Sequence, residues 1–171
     1  GGLLLAAGVG GVRRLQAAEA DGGAGAWNPL AYVVVHEDGR VTIICHRSEM
    51  GQGIRTTMPM IIADEMEADW KQCSVQQATG EEKLYGSQNT DGSTSVRNFL
   101  TQYRQTGAMV KTLMESAAAK QWGVPASEVK ARQHQVLHSA SGRSLGYGAL
   151  VATASKLPLP AKESLRFKSP A

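Results

Sequence analysis

VTIICHRSEMGQG, at residues 41–53, is where the sequence changes from a strand pattern to a helix pattern. The β-branched run from Val41 to Ile44 predicts a strand, and apolar residues recur at helical spacing from Met58 to Met66. Glycines on both sides of Gln52 allow the backbone to approach a ligand that a Cβ would block. The Gln52 amide offers one acceptor and two N–H donors, although a tight turn with a solvated glutamine fits the same four residues.

Short strands and helices alternate along the predicted structure. Strands are predicted at residues 31–35, 41–45, 73–78, 128–131 and 135–138, and Asp38-Gly39 predicts a hairpin between the first two. Helices are predicted from Thr56 or Thr57 to about Asp69, over residues 93–121, and over residues 147–154. The predicted fold class is therefore α+β, with a mixed or antiparallel sheet and one long and two shorter helices packed on it.

Two of the predicted helices contain residues that constrain packing. Pro59 is tolerated only in a first turn, which puts the helix start near Thr56 and leaves Gln52 in the preceding loop, near the positive end of the helix dipole. Gly107 falls on or beside the apolar face of the long helix, where we expect another backbone to pack closely. Met109 and Met114 fall outside a single apolar stripe, so we expect exposed apolar surface there.

Composition argues against several classes of function. The 171 residues carry a net charge of +3 without a run of five basic residues, so no nucleic-acid partner is predicted. Cys45 and Cys73 form no C-x-x-C motif, which argues against a zinc site or an iron–sulfur cluster in this chain. We interpret both as buried small side chains, with one disulfide left open. The four histidines lack metal-ligand spacing, so no metal ligands are assigned.

The sequence divides into two parts. Residues 1–27 are rich in glycine and alanine and include the short apolar run from Leu3 to Ala7, so we interpret them as a signal-derived or linker segment. Asn28-Pro29 opens the patterned region, and we interpret residues 28–171 as a fragment of a longer domain.

A second motif lies at the start of the long helix. Gly92-Ser93 precedes the apolar pattern, and a Gly-Ser helix start leaves backbone N–H groups and a hydroxyl available to a phosphate. Arg97 falls in the first turn, where a cation is unfavourable to the helix dipole unless an anion binds nearby. An ordinary serine N-cap with an exposed arginine fits these residues as well.

Taken in order, these motifs resemble one family. The residues that carry the resemblance are Asn28-Pro29, Met50-Gly51-Gln52-Gly53, residues 63–70 (ADEMEADW), Tyr85-Gly86-Ser87-Gln88, residues 92–97 (GSTSVR), Arg104, Gly107-Ala108, Ala117-Ala118-Ala119, Trp122-Gly123-Val124 and Ser141-Gly142-Arg143. Over residues 28–170 the sequence resembles the amino-terminal part of the molybdopterin-binding subunit of the xanthine dehydrogenase/aldehyde oxidase superfamily. The nearest branch is that of the isoquinoline 1-oxidoreductase β-subunit and the membrane-associated aldehyde dehydrogenases.

The resemblance implies a cofactor site made of two segments. In the family the glutamine of Met-Gly-Gln-Gly donates to an oxo ligand of molybdenum, and the Gly-Ser helix start binds the phosphate region of the pterin dinucleotide. The implied cofactor-binding residues are Gly51, Gln52, Gly53, Gly92, Ser93 and Arg97, with Gln52 as the catalytic residue. Because one cofactor spans both segments, Gln52 and Ser93 are expected to open onto one cleft.

One residue departs from the family pattern. The family usually has a glycine where this chain has Asp91, and a carboxylate beside a phosphate would repel it. We therefore expect Asp91 to face solvent or a cation such as Arg104 or Lys111.

The resemblance also implies an activity. The expected enzyme is a molybdenum-dependent oxidoreductase that hydroxylates aldehydes or N-heterocycles with oxygen derived from water, using molybdopterin cytosine dinucleotide. Electrons would leave through 2Fe–2S clusters on an iron–sulfur partner subunit, and the expected location is periplasmic, or membrane-associated on the periplasmic side. Residues 28–171 would then be a fragment of the molybdopterin-cofactor-binding domain, inactive alone because the glutamate base lies beyond residue 171. The alternative is a non-catalytic α+β binding or scaffold module that keeps the fold without the cofactor.

Overall fold

The structure, a computed structural model, describes residues 29–169, so the predicted signal-derived or linker segment lies outside the described residues. In chain order the elements are β1 (Val33–Val35), β2 (Val41–Cys45), α1 (Ile54–Glu65), β3 (Cys73–Gln77), α2 (Glu82–Tyr85), α3 (Ser95–Trp122), β4 (Val129–Arg132), β5 (Gln135–His138), β6 (Arg143–Gly146) and α4 (Tyr147–Ala154). Short 3-10 turns lie at Pro29–Tyr32, Trp70–Gln72, Ala126–Glu128 and Lys162–Ser164. The predicted α+β class, with one long and two shorter helices, is confirmed, and the single-turn α2 is additional.

The first sheet is mixed and has the order β1-β2-β3. β1 and β2 form the hairpin predicted from Asp38-Gly39 and pair antiparallel. α1 is the crossover that returns the chain to pair β3 parallel to β2, with Cys45 opposite Gln77. The loop that contains Gln52 therefore follows the carboxyl end of β2, at the opposite end of the sheet from the hairpin turn.

The second sheet is an antiparallel meander of β4, β5 and β6. Strands β4 and β5 were predicted, but β6 was not, because Arg143–Gly146 is mostly exposed and Leu145 is its one apolar side chain. The single predicted sheet is thus two three-stranded sheets, one mixed and one antiparallel.

The predicted bounds of α1 were wrong at both ends. The helix begins at Ile54 because Gly53, at φ 84°, is its N-cap, and Pro59 consequently lies in the second turn. It ends at Glu65 because Glu67 adopts a left-handed conformation at φ 58°, which a helix cannot continue through. Gln52 lies outside the helix, as predicted.

The long helix α3 is the central element of the fold. It begins at Ser95, two residues later than predicted, and packs against α1, α4, β4 and the 3-10 turn Pro29–Tyr32. Met109 and Met114 are only 4% and 0% exposed, so the prediction of exposed apolar surface at these residues was wrong. A helix that packs on several sides buries side chains outside any single apolar stripe.

One apolar core extends between the two sheets of the described chain. Its largest cluster contains residues from β1, β2, α1, α3, β4, β5 and α4. Cys45 is buried, Cys73 is half-buried and both are free thiols, so the disulfide left open by the sequence does not form here. Within residues 29–169, no helix combines the length and the apolar character that a bilayer-spanning segment needs.

Helices α1 and α3 pack closely at Gly107, as the sequence predicted. A Cβ added to Gly107 would lie 2.7 Å from the carbonyl oxygen of Ile62 and 2.7 Å from the Cβ of Glu65. Any side chain at residue 107 would therefore push the two helices apart.

Glu65 forms a buried charged cluster beside this contact. Its carboxylate is 2% exposed and accepts hydrogen bonds from Arg104 Nε at 3.0 Å and Lys111 Nζ at 3.1 Å. It also accepts from the backbone N–H of Lys168 at 2.5 Å, which ties the end of the described chain to α1. The carboxylate is thus fully engaged in joining three segments, a structural role.

Gly107→Ala is expected to destabilise the protein by about 1–3 kcal/mol, the usual cost of overpacking, despite the higher helix propensity of alanine. Denaturant unfolding measures this change. Gly146→Ala is the matched control, because Gly146 has a φ of −66° and nothing within 4 Å of an added Cβ. Equal stability of the two variants would contradict the close packing of α1 on α3.

Glu65→Leu is expected to destabilise the protein by about 3–5 kcal/mol, because it leaves Lys111 buried without its carboxylate. Adding Lys111→Met should recover much of this loss, since it removes the stranded charge. Urea titrations of the single and double variants provide the comparison. A double variant as unstable as Glu65→Leu alone would show that charge burial is not the cause.

Candidate functional site

The Gln52 side chain lies in an exposed loop and is held by two hydrogen bonds. Its Oε1 accepts from the backbone N–H of Met50 at 2.6 Å, and its Nε2 donates to the carbonyl of Ser48 at 3.0 Å. These partners fix the orientation of the amide, since a donor faces the oxygen and an acceptor faces the nitrogen. Nε2 carries two hydrogens, so a second N–H is left to donate to a ligand.

Glu49 closes the same loop by binding its backbone. Oε1 accepts from the N–H groups of Gly51 at 2.7 Å and Gly53 at 3.0 Å, and Oε2 accepts from that of Arg55 at 2.9 Å. These bonds, first that from Arg55, hold the pKa of Glu49 below its usual value. The charged carboxylate therefore stabilises the loop above the unfolded-state pKa, and this contribution is lost as the pH falls through the folded-state pKa. The Glu49 carboxylate thus supplies the negative charge that the positive end of the α1 dipole favours.

Gly92 and Ser93 form an exposed left-handed turn directly before α3. Their φ angles are 51° and 53°, and Thr94, not Ser93, is the N-cap residue. The turn is neither inside the helix nor covered by packed side chains, which meets the geometric demand of a phosphate site. Arg97 is exposed in the first turn of α3.

Asp91 is exposed beside this turn. Its carbonyl accepts from the backbone N–H of Thr94 at 3.1 Å and from Thr94 Oγ1 at 2.9 Å. The alternative that Asp91 pairs with Arg104 or Lys111 is wrong, because both cations bind Glu65. The carboxylate therefore faces solvent, and its charge weakens the attraction of the α3 start for an anion.

Ser48 joins the Gln52 loop to the segment before Gly92. Its carbonyl accepts from Gln52 Nε2 and also from Thr90 Oγ1 at 2.8 Å, and its own hydroxyl donates to the carbonyl of Gln88 at 3.3 Å. These bonds place Thr90, two residues before Gly92, against the Gln52 loop at the carboxyl end of β2. Sequence reasoning missed Ser48 and Thr90, because no motif signals a contact between residues 42 positions apart.

Arg47 lies beneath this junction and is 2% exposed. Its Nε donates to Ser95 Oγ at 3.0 Å, Nη1 to the carbonyl of Ser87 at 2.8 Å, and Nη2 to Thr94 Oγ1 at 3.4 Å. The guanidinium also lies over the ring of Phe99, 5.1 Å from its centroid. A lone arginine after a strand carries no pattern, so these contacts could not be predicted from the sequence.

His46 supports Arg47 from the core side. The hydroxyl of Tyr103 accepts from the backbone N–H of His46 at 3.3 Å and lies within hydrogen-bond distance of its Nδ1, at 2.7 Å. Burial, and then the charge of Arg47, lower the pKa of His46 to about 4, so the ring is neutral at physiological pH. Tyr103 therefore holds a neutral ring in the core, and the described residues contain no cluster of side chains suited to a metal ion.

The side chains at this junction fit a polar ligand of the pterin type. Gly51 and Gly53 are open, since an added Cβ on either would have nothing within 4 Å. Gln88 Nε2 is buried without a hydrogen-bond partner among residues 29–169, and such an orphan donor costs about 1–3 kcal/mol unless an acceptor meets it. With the second N–H of Gln52, the junction offers donors to carbonyl, oxo or ring-nitrogen acceptors.

Two cavities lie away from the junction. One, of about 480 Å³, is lined by residues that include Asp64, Glu67 and Lys168, and the other, of about 430 Å³, by residues that include Gly39 and His134. Both are near the hairpin-turn end of the first sheet. The junction itself is exposed at Gln52, Gly92 and Ser93, so a ligand or a further protein segment has access to it.

Comparison with known proteins identifies the family. The family model described as "Molybdopterin cofactor-binding domain" matches residues 6–170. The isoquinoline 1-oxidoreductase subunit beta of Brevundimonas diminuta is 38% identical over 132 residues, which cover 74% of this chain and 17% of that protein. The membrane-bound aldehyde dehydrogenase [pyrroloquinoline-quinone] of Gluconacetobacter polyoxogenes is 35% identical over 130 residues, 76% of this chain and 16% of that protein. This chain spans about a sixth of the length of these curated relatives.

Solved structures share the fold. Quinoline 2-oxidoreductase from Pseudomonas putida 86 matches with a TM-score of 0.58 at 16% identity, covering 74% of this chain and 16% of that one. The reconstituted CO dehydrogenase from Oligotropha carboxidovorans matches with a TM-score of 0.57 at 17% identity, covering 69% and 15%. The family match and the sequence identity to the curated relatives confirm the resemblance found in the motifs: the chain belongs to the molybdopterin cofactor-binding domain family.

Proposed function

We propose that this chain is part of a molybdenum hydroxylase and holds a molybdopterin dinucleotide across the junction at Ser48. The observation that carries the proposal is the pair of hydrogen bonds that the Ser48 carbonyl accepts from Gln52 and Thr90. These bonds hold the Gln52 loop against Thr90, two residues before the Gly92–Ser93 turn that the family resemblance assigns to the same cofactor. This adjacency supports a single ligand that contacts both.

Gln52 is proposed to donate its remaining amide N–H to the cofactor. The side chain is already held by Met50 and Ser48, so it needs little reorganisation when the ligand arrives. Glu49 keeps the loop in this shape by binding the N–H groups of Gly51 and Gly53. The open glycine positions leave room for the ligand beside the backbone.

Gly92, Ser93 and Arg97 are proposed to hold the phosphate region of the cofactor. The exposed turn precedes a helix of 28 residues, whose amino terminus carries a partial positive charge of about half an elementary charge. Arg97 adds a full positive charge one turn further on. Asp91 offsets part of this attraction. The proposed binding free energy of the cofactor therefore depends on contacts to the Gln52 loop as well as to this turn.

The bound molybdenum cofactor would supply the oxidation of an electron-poor carbon with oxygen derived from water. We propose an aldehyde or an N-heterocycle as the substrate, which the names of the two curated relatives support. The quinone in the second name is not proposed for this chain, because the family model that matches residues 6–170 is a molybdopterin domain. The cytosine form of the dinucleotide is part of the proposal.

Electrons from this reaction need a carrier outside the described chain, because no cluster of side chains in residues 29–169 is suited to a metal. We propose an iron–sulfur subunit with 2Fe–2S clusters as the partner, which the word "subunit" in the name of the first relative supports. A periplasmic location, or association with the periplasmic side of a membrane, is likewise proposed, and the membrane-bound state named for the second relative supports it.

The second candidate is a binding or scaffold module that keeps the fold without the cofactor. Asp91 favours this candidate, because a solvent-facing carboxylate replaces the usual glycine beside the phosphate segment. The two candidates differ in molybdenum content, and they differ in whether Gln52 affects turnover.

Gln52→Ala is expected to lower turnover about 10²-fold in the assembled enzyme, the scale of losing one oriented donor. The free energy of unfolding should change by less than about 0.5 kcal/mol, because an exposed loop glutamine contributes little to the core. Turnover, molybdenum content and denaturant unfolding are measured on the same preparations.

Gln72→Ala is the matched control, since Gln72 is an exposed glutamine that directly precedes β3, at the hairpin-turn end of the first sheet. This variant should keep wild-type turnover. Wild-type turnover in Gln52→Ala with normal molybdenum content would contradict the proposed role of Gln52.

A further inference from the structure

Arg47 differs from two other arginines that bind the core helices. Arg104 pairs with Glu65 at 3.0 Å, and Arg166 pairs with Glu115 at 2.9 Å. Arg47 is more deeply buried than either, yet no carboxylate of residues 29–169 forms an ion pair with it. Burying a guanidinium without an anion is costly, so stability of the fold alone is a poor explanation for this residue.

The hydrogen bonds of Arg47 connect the two halves of the junction. The guanidinium donates to the carbonyl of Ser87, in the segment before Gly92, and to the side chains of Thr94 and Ser95, at the start of α3. Its own backbone continues directly into Ser48 and the Gln52 loop. Because the guanidinium is planar and its donors are fixed in direction, these contacts set the distance between the loop and the start of α3.

The hydrogen bonds of Arg47 are better shielded from water than those of Ser48. The hydrogen bonds made by Ser48 to Gln88 and Thr90 lie at the surface, where water competes for the same groups. Arg47 is 2% exposed and stacks on Phe99, which protects its hydrogen bonds from water. The spacing of the junction therefore depends more on Arg47 than on Ser48.

We propose that Arg47 is a positioning residue that holds the Gln52 loop and the Gly92–Ser93 turn at the separation that one bound ligand requires. This inference rests on the proposed function, since it assigns both segments to one cofactor. A lysine at residue 47 would keep the charge but lose the three-point contact, because its ammonium is a single point on a flexible stem.

The test compares Arg47→Lys with wild type by hydrogen–deuterium exchange in the complete protein, expressed without molybdate. Backbone exchange at residues 48–53 and 86–94 should rise about tenfold in the variant, the scale of losing one or two buried hydrogen bonds. Exchange in β4, β5 and α4 should stay unchanged, because the Arg47 side chain makes no contact there.

Arg104→Lys is the matched control. It makes the same chemical change at an arginine within α3 that pairs with Glu65 of α1, and it should leave exchange at both segments of the junction unchanged. Ser95→Ala removes a single acceptor of Arg47 and should raise exchange at both segments about threefold, which keeps the test decisive if Arg47→Lys fails to fold. Unchanged exchange at the junction, or a rise spread evenly over both sheets, would overturn the inference.

A second readout separates this inference from the proposed function. In protein expressed with molybdate, Arg47→Lys should reduce molybdenum and pterin nucleotide per chain about tenfold, whereas Arg104→Lys should not. A variant that loads as fully as wild type would overturn the role of Arg47 and leave the proposed function standing. A wild-type protein that carries neither molybdenum nor nucleotide would overturn the proposed function, and the assignment of Arg47 to a cofactor site with it.

Discussion

Helices α1 and α3 pack so closely at Gly107 that no side chain fits there, and this contact sets how the two helices lie against each other. The contact lies about 12 Å from the start of α1 and about 18 Å from the start of α3, at a rise of about 1.5 Å per residue. The helices are held together at this contact and, nearer their amino ends, by the hydrogen bonds of Arg47 and Ser48. The positions of their first residues relative to each other are therefore set. Since the Gln52 loop precedes α1 and the Gly92–Ser93 turn precedes α3, the packing of the core determines the geometry of the site.

The amino ends of α1 and α3 are adjacent, but the charged side chains beside them have opposite signs. At α1, Glu49 supplies an anion to the backbone N–H groups, so the loop offers a neutral amide donor from Gln52. At α3, Arg47 places a buried cation behind the first turn, and Arg97 adds an exposed one. One ligand with a neutral polar ring at one end and a phosphate at the other would match this division, and a pterin dinucleotide has that composition.

Much of the fold follows from local pattern, and much of the site does not. The hairpin at Asp38-Gly39, strands β3, β4 and β5, helix α4 and the close contact at Gly107 were predictable, because turn chemistry and periodicity act over a few residues. The ends of α1 were not, since they depend on the left-handed conformations of Gly53 and Glu67. Gln52, Gly92 and Ser93 are predicted as site residues from motifs, whereas the contacts of Ser48 and Arg47 arise only when the chain folds and distant segments meet.

Composition analysis of the protein, purified with its partners, asks whether the junction at Ser48 holds a molybdopterin dinucleotide. Molybdenum by mass spectrometry and the nucleotide released by acid are measured per chain. A single site per chain predicts about one molybdenum and about one cytosine nucleotide per chain. A folded protein that carries neither molybdenum nor a pterin nucleotide after growth with molybdate would rule out the proposed cofactor site and favour the scaffold module.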